Sequence, residues 1–174
     1  MRTCDRCHRE KVIDVMVEDT IEVGGHRFTT QMPAGRCLVC QQVVVQSEHV
    51  RRFEQAVAVE LAKAGLRSGE AFRFLRTTLG MSEAGLAGLL DVPVEYVGYW
   101  ENAKWRMDPR AVAVLAGLVL ARFEGKHAVL DPLAVLREPR KLAANVRVHL
   151  DDAPQGAGKL LQFGSAAFTQ PASA

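Results

Sequence analysis

The residues best equipped for chemistry are four cysteines, all within the first 40 positions: Cys4, Cys7, Cys37 and Cys40. They form two Cys-x-x-Cys pairs, CDRC and CLVC, separated by 29 residues. A two-residue gap lets a tight turn aim both thiolates at one point. Two such turns facing each other make a tetrahedral sulphur cage that suits Zn2+. The spacing leaves an iron centre, disulfides or free thiols open as alternatives, although a reducing compartment disfavours disulfides. Four thiolates fill the coordination sphere, so the zinc expected here is structural and has no open position for a substrate. His8 and His49 are not needed as ligands.

No other grouping suggests catalysis. The five histidines, at positions 8, 26, 49, 127 and 149, are scattered and share no catalytic spacing with a cysteine or serine. Asp14, Glu18, Asp19 and Glu22 form an acidic stretch whose simplest reading is an exposed surface for a basic protein partner. GAGK at residues 156–159 lacks the full phosphate-loop pattern and a strand–loop–helix frame, so no nucleotide cofactor is expected. The chain is not expected to be an enzyme.

Composition sets the frame. Of the 174 residues, 48% are hydrophobic and 6% aromatic, which supplies a packed core rich in Ala, Val and Leu. The longest apolar run, AVAVLAGLVLA at residues 111–121, has 11 residues. A bilayer span needs about 20. The opening MRTCDRCHREK has no apolar stretch of the kind a secretory signal carries, so a cytoplasmic location and no membrane partner are expected. Net charge is only +2, and residues 68–125 hold six basic and seven acidic side chains. Nonspecific DNA binding rests on many Lys and Arg contacts to phosphate, and no block of this chain is strongly basic.

The cysteines need elements to position them. Residues 12–18 and 26–32 read as strands with Gly24-Gly25 turning between them. Pro33, Ala34 and Gly35 lead into the second cysteine pair, and VVV at 43–45 reads as a last short strand. A unit of residues 1–46 is too small for a real core, so the metal must supply folding energy. Residues 46–66 read as a linking helix capped by Ser47 and ended at Gly65. Its apolar face, Val50, Phe53, Val57 and Leu61, packs either on its own chain or on a twin. The expected divisions are a zinc-binding domain at 1–46, the linking helix at 47–67 and a helical domain at 68–125. An extension at 126–150, with short helical pieces and a strand at 145–150, and a flexible Gly/Ala/Pro/Ser-rich tail at 151–174 complete the chain.

Within 68–125 the pattern is that of a helix-turn-helix. GEAFRFLRTTL at 69–79 turns Phe72, Leu75 and Leu79 inward and stops at Gly80. Ser82 caps a second helix with Leu86, Leu89 and Leu90 toward the core and the small Ala87 at a helix crossing. Asp91, Val92 and Pro93 supply the turn. The third helix, VEYVGYWEN, turns Val94, Val97 and Trp100 inward and closes at Asn102 and Ala103. Asp108-Pro109 starts a fourth helix. Trp105 is expected to cap the core, while Tyr96 reads equally well as a packed residue or a DNA contact.

The segment LRTTLGMSEAGLAGLLDVPVEYVGYWENAKWRMDP resembles the lambda-repressor-like (XRE) helix-turn-helix family. Preceded by CDRC and GRCLVC, residues 1–125 resemble the MqsA-type antitoxins, which join a YgiT-type zinc finger to an XRE-type domain. That resemblance implies an α+β fold: a small Cys4 zinc-bound β unit followed by an all-α lambda-repressor-like domain. It implies Cys4, Cys7, Cys37 and Cys40 as metal ligands, a homodimer on double-stranded operator DNA, and an mRNA-cleaving toxin as a further partner. A zinc-containing regulator without a toxin, and a protein-interaction module without DNA binding, are the alternatives.

The contact positions depart from that family. Glu83 follows Ser82 where many members have Gln, Glu95 stands where the antitoxins often have Asn, and Tyr99 where they have Arg. Arginine to guanine is the commonest direct base contact, and asparagine matches adenine. The remaining candidates for DNA are Ser82 with the N–H groups of its helix start, Glu95, Tyr96 and Tyr99, and the cations Lys104 and Arg106 beyond the third helix. Arg73 and Arg76 add positive charge before the second helix. The Trp100-Glu101 pair matches the family and is expected to be structural.

Overall fold

In the computed structural model, which describes residues 3–9, 11–125 and 141–149, two 12-residue strands, β1 (Val12–Val23) and β2 (His26–Cys37), form an antiparallel hairpin. Gly24 and Gly25, at φ 62° and 79°, make its two-residue turn. Positive φ at both central residues is what a turn matching the strand twist requires, and glycine adopts it without strain. Both strands run further than the alternation of residues 12–18 and 26–32 suggests. Pro33, Ala34 and Gly35 belong to β2 instead of leading out of it. Pro33 lies between the stretch of β2 that pairs with β3 (Val43–Val45) and the stretch that pairs with β4 (Asn145–Arg147), where among the described residues one edge of β2 has no partner strand. Proline is tolerated at such a place because no ladder bond is lost.

Alternation then sorts the side chains. Phe28 and Met32, paired with Ile21 and Val17, are buried on one face. The other face pairs Glu18 with Gln31 and Glu22 with Arg27, whose Nε donates to the carboxylate at 2.8 Å. β4 joins β2 in parallel from far along the chain, as the sequence expects for 145–150. The backbone N–H of Arg27 donates to Ala144 O at 2.7 Å. The expected helical pieces at 126–140 and the tail at 151–174 lie outside the described residues.

Among the described residues, five helices follow β3. α1 (Ser47–Ala64) buries Phe53, Val57, Ala58, Leu61 and Ala62 against β2 and α5 (Pro109–Glu124), so its apolar face is met by its own chain. Its N-cap is Gln46, without a side-chain bond, and Ser47, expected as the cap, is the first helical residue, so the helix begins one residue earlier than expected. Gly65, at φ 65°, ends it in the left-handed conformation. α2 (Gly69–Thr78), α3 (Glu83–Leu90) and α4 (Val94–Glu101) have the expected order and nearly the expected bounds. Ser68, Ser82 and Asp108 each cap a helix by accepting a backbone N–H bond. Sheet and helices share one core, from Val23 and Phe28 through Phe72, Leu86 and Val97 to Val119. The arrangement is α+β, with a cysteine-bearing β unit ahead of a series of helices.

Two contacts lock α2 in place. The N–H of Gly24 donates to Glu70 at 2.9 Å, tying the hairpin turn to the first turn of α2. At Gly69 the backbone runs against the carboxyl end of α4, where a Cβ would stand 2.6 Å from the Trp100 carbonyl oxygen and closer still to that of Glu101. Gly69→Ala is therefore expected to cost about 1–3 kcal/mol, since backbone has little room to yield. Thermal unfolding checks this, and an unchanged midpoint would rule out the close approach.

Candidate functional site

Cys4 and Cys7, before β1, meet Cys37 and Cys40, at the end of β2, so that all four sulphurs lie within 4.8 Å of one another. Cys4 Sγ is 3.6 Å from Cys40 Sγ, and Cys7 Sγ is 3.5 Å from Cys37 Sγ. A regular tetrahedron with Zn–S bonds of about 2.3 Å has edges of about 3.8 Å, so the cage suits zinc. The two turns have the same construction. His8 N–H donates to Cys4 O at 2.8 Å, and Gln41 N–H donates to Cys37 O at 2.9 Å. The residue after each second cysteine, His8 at φ 56° and Gln41 at φ 60°, adopts the left-handed conformation.

Backbone donors in each turn favour thiolate at its first cysteine. The N–H of Cys40 pulls the Cys37 thiol down to about 6, against the cost of burial and with help from the Val39 N–H and neighbouring sulphurs. The N–H groups of Cys7 and Arg6 lower Cys4 in the same way. At Cys7 the Arg9 N–H also lowers the value, but burial and the surrounding thiols outweigh it and push Cys7 up to about 12. The four cysteines would hold a divalent cation at the centre, whose charge would offset that crowding and favour the thiolates that ligation needs. No open coordination position remains, which assigns the site to structure.

Beside the cage, apolar side chains lie exposed among charged ones such as Asp5 and Lys11. Ile13 and Met16 of β1, Leu38 and Val39 inside the second cysteine turn, and Val43 and Val44 of β3 are all exposed. Exposed apolar residues scattered singly mean little, but six on neighbouring elements at one end of a sheet form a collar that a partner could cover. The sequence reading missed this collar, because alternating valines read equally well as core.

At the other end of the fold, α3 and α4 are joined by a tight turn in which Asp91 has φ 54°. Val97 and Trp100 are buried as expected, whereas Leu89 and Val94, expected inward, are exposed. Val94 is the first residue of α4, and α3 ends one residue after Leu89. Leu86, Ala87 and Leu90 make the face of α3 that meets the core, and Leu89 falls to the side of it, while Val94 stands at the open start of α4.

The residues proposed for DNA fall on two places. Ser82, at the start of α3, accepts from the Gly85 N–H at 3.0 Å. The others lie on α4 and just beyond it. Glu95 is exposed in the first turn, and Tyr96 is half-buried with its ring edge-on to Trp100. Tyr99 is half-buried, and exposed Lys104 sits 5.8 Å from its ring. Arg106 is exposed. Trp105 does not cap the core: it is 47% exposed and leans on both tyrosines, with ring centroids 4.7 Å from each. Packing against two rings gives it much of the contact that burial would have given.

Arg76 is withdrawn from any ligand. It is buried, donating from Nε to Glu101 Oε1 at 2.6 Å, from Nη2 to Oε2 at 2.9 Å and from Nη1 to Met81 O at 2.7 Å. Arg73 adds a bond to the same carboxylate at 3.1 Å. The Trp100-Glu101 pair is thus structural, and it clamps α4 to α2. Sequence reading counted Arg76 as surface charge. The signal it overlooked is that a glutamate beside a core tryptophan needs a buried cation. Glu83 lies 3.7 Å from Arg76, which offsets its negative charge at the start of α3. Among the described residues no helix is long and apolar enough to cross a membrane. No family model matches the chain, and no curated protein matches it.

Proposed function

We propose that this protein is a DNA-binding transcriptional regulator, with a zinc-stabilised β unit and a helix-turn-helix of the XRE type. The observation that carries the reading is the pairing of a rigid mount with an exposed face. α4 is held to α2 by the buried Arg76–Glu101 pair, while Val94, Glu95, Lys104 and Arg106 face solvent. That is the construction of an element built to enter a groove. The N–H groups at the start of α3 supply further donors for phosphate. A homodimer on double-stranded DNA would double these contacts.

Promoter binding by the zinc-loaded full chain tests this. Lys104→Ala and Arg106→Ala are each expected to weaken all sequences alike, and each to lower the slope of log K against log salt by about 0.9. Unchanged slopes in both variants would remove these residues from the phosphate backbone.

The apolar collar favours an additional role, as the antitoxin of a toxin–antitoxin pair. In this reading the collar, with exposed Glu18 two residues beyond Met16 on β1, docks the toxin while the helical face holds the operator. Part of the acidic attraction is spent internally, since Glu22 is ion-paired with Arg27. Neutralising Asp14, Glu18, Asp19 and Glu22 together separates the contributions: unchanged affinity for the toxin encoded beside this gene leaves only apolar docking.

A further inference from the structure

We infer that α4 reads pyrimidines, packing apolar side chains on thymine methyl groups and accepting a hydrogen bond from cytosine at Glu95. The inference deepens the DNA-binding reading and rests on it. Guanine is ordinarily read by a paired donor aimed at O6 and N7. The outward face of α4 offers no such fork. The amide at its C-cap, Asn102, donates from Nδ2 to Gly98 O at 2.8 Å, which commits one of its two donors to the helix end. Arg76, the guanidinium nearest the helix, is buried against Glu101.

What this face does offer is apolar surface around one acceptor. Val94 is 41% exposed at the start of the helix. Tyr99 presents part of its ring, braced by Trp105. Gly98 has nothing near its missing Cβ except Glu83 Oε2 at 3.8 Å, so the surface between Val94 and Tyr99 is flat enough for a base edge to approach closely. Glu95 is acceptor-only and suits the N4 amino group of cytosine. Lys104 and Arg106, past the helix end, supply the positive charge that holds a polyanion against a face where Glu95 and the Glu83 carboxylate beside Gly98 are both negative.

The test begins with the zinc-loaded full chain selecting its site from a random duplex library. Thymines of the selected half-site are then replaced by uracil one at a time, and guanines by 7-deazaguanine. Loss of a contacted methyl is expected to weaken binding about four-fold, the effect of burying one such group. Val94→Ala should erase the difference between thymine and uracil at one position, and 7-deazaguanine should leave affinity unchanged. Indifference to uracil throughout would overturn the inference while leaving DNA binding intact, as would a roughly tenfold loss with 7-deazaguanine, the cost of a broken base contact. If no duplex is selected, this inference and the DNA-binding reading fall together, and α4 becomes a protein-docking face.

Discussion

Stripping the metal from the full chain, or replacing Cys37 with serine, is expected to unfold the cysteine end of the sheet while the helical core persists. The reason lies in where apolar contact is made. At the turn end of the hairpin, Val23, Phe28 and Met32 are buried in the common core. At the cysteine end, Ile13, Met16, Val43 and Val44 are exposed, and β3 adds only three residues. That end has little but the metal to hold it. Structural zinc contributes roughly 10–16 kcal/mol of apparent binding energy in zinc-finger peptides. This is as large as the whole stability of many domains, about 5–15 kcal/mol. Hydrogen exchange resolves the two regions: amides of β3 and of both cysteine turns should lose protection on chelation, while those of α1 and α5 keep theirs. Unchanged protection around a demonstrably metal-free cage would show that the sheet stands without it.

The second large effect concerns the mount of α4. Glu101→Ala is expected to cost about 3–5 kcal/mol, because it leaves the Arg76 guanidinium buried without its anion. The Glu101 side chain is wholly buried and that of Arg76 is 8% exposed, so water cannot substitute. Arg73, more than half exposed, loses a bond but not its solvation. Replacing both partners with apolar residues, Arg76→Met together with Glu101→Leu, should recover most of the loss, since no unpaired charge remains. Urea unfolding of the three proteins checks the pattern. A loss below about 1 kcal/mol in Glu101→Ala, the range of an exposed pair, would mean that the pair is not what fixes α4.

Chemistry with a fixed spacing was easiest to read from the sequence. Two Cys-x-x-Cys turns can aim at a common point only if a sheet brings them together, and Gly24-Gly25 marked the hairpin that does so. Ser82 and Asp108 at helix starts were legible because each satisfies donors that the helix leaves open, whereas Ser47 lies inside α1 and does not cap it. The full reach of β1 and β2 was not legible, because Pro33, Ala34 and Gly35 have turn chemistry and only the partner strands show that β2 tolerates them. Leu89, Val94 and Trp105 were misplaced for a related reason. Apolar type favours burial but does not show which side of a short helix meets the core, as Leu90 does and Leu89 does not. The Arg76–Glu101 clamp joins residues 25 positions apart, and nothing local links them.

We propose that exposed α4, held on its rigid mount, binds duplex DNA. The most direct measurement is a titration of the zinc-loaded full chain onto the DNA upstream of its own gene, at two salt concentrations, against an unrelated duplex. The expected result is saturable binding that weakens with salt and favours the upstream site by roughly a thousandfold or more, as specific regulators do. Equal, negligible retention of both duplexes by folded, metal-bound protein would contradict it.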